Sequence, residues 1–299
     1  MKLVAAAKVR RAQEAVVGAR PFSENLVRVL YGVNTRLKGE DVDAPLTAVR
    51  PVKKVCVVAV AGDRGLCGGF NNNALKMAET RCNELKAMGV DFSLVAVGKK
   101  CITYFKRRDY PIAKEVVAGQ NPTTKEAQSI ADEIFSQFVS EECDKVEIVY
   151  TKFVSLIASK PVVQTLLPLT PKGEICDVEG NCIDAAEDEV FFLTSQDGKL
   201  AVESKTEELD TSFEANLTFE QDPVQILDAL LPLYLNSQLL RALQESVASE
   251  LAARMNAMSN AADNAKELAK TLDTQLNRQR QAKITQELSE LVGGAAAVS

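Results

Sequence analysis

Cys176 and Cys182 are separated by five residues in Glu174-Ile175-Cys176-Asp177-Val178-Glu179-Gly180-Asn181-Cys182, a polar stretch with a flexible Gly-Asn turn. A loop of that length can close into a disulfide without strain once the Cα atoms come within about 7 Å. Two thiols alone make a poor zinc site, which wants four ligands. Glu174, Asp177 and Glu179 disfavour thiolate by like-charge repulsion, so the pair is a slow spontaneous reductant. Two readings stand: a reversible switch worked by an external dithiol enzyme, or two unrelated exposed thiols. Glu187-Asp188-Glu189 follow closely. Such a charge run is ordinarily a solvated face; beside a redox pair it can instead hold a neighbouring hairpin in one of two positions.

A second stretch with chemical interest is Gly62-Asp63-Arg64-Gly65-Leu66-Cys67-Gly68-Gly69-Phe70-Asn71, between a strand and a helix, where an α/β protein cradles phosphate. It matches neither known pattern. There is no Gly-x-Gly-x-x-Gly, no Lys-Ser/Thr after the last glycine, and no acid closing the second strand. Glycines that permit a tight turn and close helix packing are the favoured account. The chain contains no histidine, which excludes a Ser-His-Asp triad, histidine base catalysis and histidine metal ligands. Cys67 therefore reads as a small buried residue and not a nucleophile. No catalytic residue, cofactor site or metal site is expected. Arg254, Arg278 and Arg280 read as lying on the polar side of a long helix, either as ordinary solvated cations or as a basic surface turning inside an acidic collar.

The elements that carry these residues follow from hydrophobic spacing. Asp222 can cap a helix with Pro223 at its first position, and apolar or small residues recur from Leu240 through Leu243, Val247, Leu251, Met255, Met258, Ala262, Ala265, Leu268, Leu272 and Leu276 to Ile284, Leu288 and Leu291. Gly293 and Gly294 are expected to stop it. At about 1.5 Å per residue the helix outreaches any sphere this chain could fill, so it must protrude. Pro232 should kink it near its start. At the other end a heptad seam runs through Ala12, Ala15, Ala19, Phe22, Leu26, Val29 and Val33. Residues 1–38 read either as an amphipathic helix packed on a core or, the favoured reading, as the partner of residues 222–299 in a long coiled coil. Met1 to Ala7 carries no N-cap and reads as a helix entered midway.

Between the two helices, strands at 53–61, 92–97 and 146–153 alternate with helices at 71–88, 99–108 and 123–139. This predicts an open, Rossmann-like α/β domain over 53–172, with 162–167 as an edge strand. Residues 38–52 read as a linker. Residues 173–210 hold twelve acids and two lysines, a net −10 in a chain whose total is −6, so the remainder is +4. That asymmetry marks an inserted segment. Its Asp197-Gly198 pair between 190–194 and 199–204 signals a β-hairpin. Residues 211–221 return to the α/β domain, through a strand at 215–219. The fold class is therefore α/β. Seven cysteines without a signal-peptide core point to a reducing compartment, and the odd number excludes complete internal pairing. No apolar run is long enough to span a bilayer, which leaves a peripheral place on a membrane complex open.

Met1-Lys2-Leu3-Val4-Ala5-Ala6-Ala7-Lys8, the Gly62–Asn71 stretch, and Ile284-Thr285-Gln286-Glu287-Leu288-Ser289-Glu290 before Gly294-Ala295 together resemble the γ subunits of rotary F-type ATP synthases over nearly the whole chain. The acidic insertion with Cys176 and Cys182 is similar to the chloroplast form, whose dithiol thioredoxin reduces. The resemblance implies a non-catalytic rotor shaft inside a ring of three α and three β subunits. Its foot would stand on the membrane c-ring beside the ε subunit, at the stromal side of the thylakoid membrane. It implies a regulatory Cys176–Cys182 disulfide, a regulatory role for Glu187, Asp188 and Glu189, and ring contacts at Met1, Lys2, Arg254, Arg280, Gln281, Thr285 and Glu287. Chains of that family begin further upstream, so the base of the N-terminal helix is expected to be missing. The competing readings are a nucleotide-binding α/β enzyme with helical arms and a structural coiled-coil adaptor.

Overall fold

Lys54–Val60 reads Lys-Val-Cys-Val-Val-Ala-Val, apolar at every position after the first, which is the pattern of a strand covered on both faces. A computed structural model, which describes residues 2–37, 51–168, 174–177, 182–184, 187–196, 199–208 and 223–298, places this strand, β1, at the centre of the sheet. The chain opens on α1 (Lys2–Leu37) and closes on α5 (Pro223–Val298). Between them come α2 (Phe70–Ala87), β2 (Asp91–Val97), α3 (Lys99–Lys106), β3 (Ile112–Val116), α4 (Thr124–Val139), β4 (Lys145–Phe153) and β5 (Ser159–Leu167). Then follow β6 (Glu174–Asp177), β7 (Cys182–Asp184), β8 (Glu187–Gln196) and β9 (Lys199–Glu208). The main sheet has the order β3-β2-β1-β4-β5-β6-β7, with β3 to β4 parallel and β5 to β7 antiparallel. β8 and β9 form a separate antiparallel hairpin in which Gln196 pairs with Lys199, leaving the expected two-residue Asp197-Gly198 connection.

The alternation along β1 divides the core. Cys56, Val58 and Val60 pack with α4, α5 and the end of α1, whereas Val55, Val57 and Ala59 pack with α2 and α3. α4 begins with a capping box, Thr123 and Glu126 each accepting from the other's backbone N–H. On the α2 side, Arg81 clamps the buried Glu147 of β4 through bonds of 2.7 and 2.8 Å, and Lys145 adds a third at 2.8 Å. Burial pushes the Glu147 carboxyl up, but these cations outweigh it and hold it below the usual range.

α1 and α5 run antiparallel: Leu26, Val27 and Leu30 meet Leu231, Tyr234, Leu235 and Leu239, while Val16 meets Ala248 and Ala252. The seam of α1 differs from the one its spacing suggests. Its buried line is Ala5, Val9, Val16, Ser23, Leu26, Val27 and Leu30, with Ala12 and Ala19 half-buried, and Phe22 and Val29 face solvent. Both seams share positions 12, 19 and 26; they differ by one residue at the alternate steps. Arg20 decides between them, because it reaches Glu245 on α5 and the Phe153 carbonyl of β4, and that fixes how α1 is rotated.

Three further differences from the sequence expectations stand out. β5 is an interior strand, flanked by β4 and β6, and not an edge. The edge strands are β7 and β3, the latter a short Ile-Ala-Lys-Glu-Val run whose polar residues hid it. α5 continues through Gly293 and Gly294 to Val298, for a length of 76 residues or about 110 Å. Pro232 lies inside it. The expected strand at 215–219 and most of the expected linker lie outside the described residues.

The turn that brings β2 into α3 depends on Gly98. It holds φ +97, and a Cβ there would sit 2.1 Å from the Ala61 carbonyl oxygen. Neither the backbone conformation nor the space admits a side chain. Gly98→Ala is expected to cost about 3 kcal/mol or more, because strain and clash act together. Chemical denaturation of the folded chain measures it.

Candidate functional site

The glycine-rich stretch after β1 forms a turn closed by its own side chains. Gly62 N–H donates to Asn71 Oδ1 at 2.9 Å, and Asn71 Nδ2 donates to the Arg64 carbonyl at 3.0 Å and to Cys67 Sγ at 3.1 Å. Leu66 and Gly68 both take positive φ, 64° and 56°, so the chain doubles back tightly enough to start α2. The neighbouring helix start is also occupied: Lys99 N–H donates to Asp63 Oδ1 at 2.8 Å and Lys100 N–H to the Gly62 carbonyl at 3.3 Å. Protein oxygens take these donors, as a phosphate takes helix-start donors in a nucleotide-binding α/β protein.

α5 completes the closure. Glu250 lies so near Gly62 that a Cβ on the glycine would come within 2.8 Å of its carboxyl group, and Arg254 holds that carboxylate in an ion pair. Arg254 also donates from Nε and Nη2 to the Gly65 carbonyl, each at 3.4 Å. What is left between β1, the loop before α4 and α5 is a cavity of ≈ 20 Å³, room for one water and no phosphate. A carboxylate stands where an anion would have to go. The arrangement can do no phosphoryl chemistry; it fastens a helix to the end of a sheet.

A second fastening lies five residues earlier. Glu245, fully buried, accepts from Arg20 Nε at 3.4 Å, Arg241 Nε at 3.2 Å and the Phe153 N–H at 3.3 Å. Around it Ser246 Oγ accepts from the Thr151 N–H at 3.3 Å, and Ser249 Oγ donates to the Thr151 carbonyl at 3.4 Å. Beyond residue 259 the same helix changes character: residues 260–294 are exposed throughout. There Leu268, Leu272, Leu276, Ile284, Leu288 and Leu291 form an uncovered stripe.

The sequence-derived site residues fall into separate groups. Arg254 is turned inward to Glu250 and Gly65, so it does not lie on a solvated polar side. Arg280, four residues from Leu276 and from Ile284, sits in line with the apolar stripe and so is also not on a polar side. Gln281, Thr285 and Glu287 lie on the exposed part, where Thr285 Oγ1 donates to the Gln281 carbonyl at 2.9 Å and Glu287 faces Lys283 at 4.0 Å. Met1 lies outside the described residues, and Lys2 begins α1. The backbone register sets Cys176 opposite Cys182 across β6 and β7, with Val163 of β5 on the other side of Cys176. Directly opposed antiparallel residues have Cα atoms about 4.5–5.5 Å apart, inside the range of a disulfide. Glu187 and Asp188 stand opposite Glu208 and Glu207, and Glu189 opposite Thr206. The side chains of these inserted strands lie outside the described part.

The five other cysteines are buried free thiols. Burial pushes Cys67 upward and holds Cys82 and Cys101 up at about 12. The Cys56 thiol hydrogen-bonds Cys143, which lowers Cys56 and raises Cys143. The residues that sequence reading passed over are Arg20, Glu245 and Glu250. Their signal was present as charges at four-residue spacing, Arg241/Glu245 and Glu250/Arg254, inside an otherwise apolar helical run.

The ATP synthase family model matches residues 1–298. The chloroplastic ATP synthase gamma chain of Nicotiana tabacum is 66% identical over 100% of this chain and 80% of its own length. That of Chlamydomonas reinhardtii is 65% identical over 100% of this chain and 84% of its own. Among solved structures, a central stalk and c-ring structure of the Tetrahymena thermophila mitochondrial ATP synthase superposes with a TM-score of 0.58. It is 20% identical over 88% of this chain and 97% of that one, a likeness of fold. Among the described residues no helix is long and apolar enough to cross a membrane.

Burial holds the Glu250 carboxyl above the ordinary value of 4.5, against the opposing bond and charge of Arg254, with Asp63 raising and Arg64 lowering it further. The folded chain therefore keeps a proton that the unfolded chain releases, and this contribution to stability falls as pH rises through that window. Thermal melts from acid to neutral pH are expected to show the wild type losing stability relative to Glu250→Gln as pH rises, with the difference constant above the window.

Proposed function

Because the chain belongs to the ATP synthase family as one of its gamma chains, we propose that it is the central rotor shaft, coupling rotation of a membrane c-ring to conformational cycling of three catalytic β subunits. The observation that carries this reading is the division of α5. Its first part is built into the face of the sheet, bonded to it by Glu245, Ser246 and Ser249, with Glu250 packed against Gly62. Its last part stands free with an uncovered apolar stripe. A helix anchored at one end and bare at the other can turn inside a collar. The α/β domain is then the foot, next to the c-ring and the ε subunit, on the stromal side of the thylakoid membrane.

The shaft binds no nucleotide. It acts by presenting different sides to the β subunits in turn, biasing each between conformations that already exist. Met1, Lys2, Arg254, Arg280, Gln281, Thr285 and Glu287 are the ring contacts in this reading, with Arg254 at the level where the shaft leaves the foot. The nucleotide-enzyme alternative is disfavoured by the Glu250 carboxylate in the crevice. Reconstitution tests the reading: the chain mixed with α and β subunits should co-purify as a ring complex. A chain that stays apart, or that turns over nucleotide alone, overturns it.

Regulation is assigned to Cys176 and Cys182, with Glu187, Asp188 and Glu189 biasing the nearby hairpin. The paired register of β6 and β7 supports a disulfide at the margin of the sheet. A thioredoxin thiolate would attack one sulfur to form a mixed disulfide and expel the other as a thiolate. The second thioredoxin thiol would then release the first sulfur, leaving two protein thiols and one oxidised thioredoxin. Oxidation is expected to inhibit ATP hydrolysis by the assembled complex. Cys182→Ser should remove the response to dithiol. A mutant complex still activated by dithiol would place the switch elsewhere.

A further inference from the structure

β1 pairs with β4 only as far as Val149, so Thr151 and Phe153 have no β1 neighbour beyond it. Their backbone groups turn to α5 instead. Thr151 gives its N–H to Ser246 and takes a bond from Ser249, and Phe153 gives its N–H to Glu245. One turn of helix thus serves as the missing continuation of the sheet, satisfying groups that would otherwise be buried unpaired. At the centre is a single carboxylate. Glu245 Oε1 receives Arg20 of α1 and Arg241 of α5, Oε2 receives β4, and Arg20 Nη2 closes the ring by donating to the Phe153 carbonyl at 2.7 Å.

We propose that Glu245 is the torsional joint between shaft and foot: a positioning residue that locks α1, α5 and the end of β4 into one body, so that they turn together. The inference rests on the rotor reading and adds to it the point at which torque crosses. The apolar contacts around this point cannot do the same. Around Phe153 of β4, Ala12, Val16, Ala248 and Ala252 form a shallow seam of small side chains, which holds the two helices close but resists rotation about their axes weakly. Directional bonds from three elements to one buried carboxylate fix that rotation. Burying such an ionic group rarely adds stability over an apolar replacement, so what it supplies is a defined geometry.

The test uses the complete complex in membranes, with the wild-type chain as the control that must assemble and pump. Glu245→Gln and Arg20→Gln are compared for unloaded ATP hydrolysis, for protons pumped per ATP, and for angular fluctuation of a bead on the foot while the ring is held. Expected are near-wild-type hydrolysis, a several-fold wider fluctuation and a several-fold drop in pumping per ATP. The double variant should be no worse than Glu245→Gln, because both remove the same bridge. Arg20→Lys, which keeps the charge, should lie between wild type and Arg20→Gln, and it decides the matter if the glutamine variants do not assemble. Wild-type stiffness and pumping in Glu245→Gln, or in Arg20→Lys where only that variant assembles, would overturn the joint, as would losses that add in the double variant. A wild-type chain that neither assembles nor pumps would overturn the rotor reading and the joint together.

Discussion

A carboxylate taken out of water must find cations and hydrogen-bond donors or it will not stay charged, and two such carboxylates on α5 organise this molecule. Glu245 draws in Arg20, Arg241 and the end of β4. Glu250 draws in Arg254 and requires a glycine at position 62. From these demands follow the rotation of α1, the depth at which α5 lies on the sheet, and the closure of the crevice at the strand ends. The apolar core supplies the driving force for burial, but it is indifferent to small rotations of a helix; the polar pairs are not.

The same pairs close a crevice that is associated with ligand binding in folds of this class. In an open α/β sheet the crevice beyond the strand carboxyl ends, where the strand order reverses, is the usual ligand site. Here that reversal lies between β1 and β4, and α5 fills it. Asp63 and the Gly62 carbonyl take the donors at the start of α3, and Arg254 reaches over the loop to Gly65. Donors that could meet a phosphate are held by the chain's own oxygens instead.

Stability and motion are distributed accordingly. Both faces of the sheet are covered, and the described thiols within them are buried, which pushes Cys82 and Cys101 up. The dithiol proposed for regulation lies at the far margin, where β6 and β7 extend the sheet by two short strands that carry Cys176 and Cys182. The long free part of α5 has no such cover, and its apolar stripe is the surface with most to gain from a surrounding partner.

The sequence by itself determined the elements and their class. Continuous apolar runs in β1, β2 and β4 announced buried parallel strands, the spacing in α5 announced a helix too long to be contained, and Asp197-Gly198 announced the hairpin, because each signal is local. It also determined that His-based chemistry is absent and that the family motifs are present. The tertiary structure decided what local signals cannot. The α1 seam turned on Arg20 finding a carboxylate more than two hundred positions away, so Phe22 and Val29 face out where spacing put them in. β3 passed unnoticed because an edge strand needs only half an apolar pattern. Glu245 and Glu250 passed unnoticed, and Arg254 read as a cation on the polar side of the helix, because their meaning lies in β4 and the Gly62 turn, which approach them only once the chain has folded. Hydrophobic spacing marks which elements have a buried side; how each is rotated, and which buried charge meets which partner, is set by long-range geometry that exists only in the folded chain.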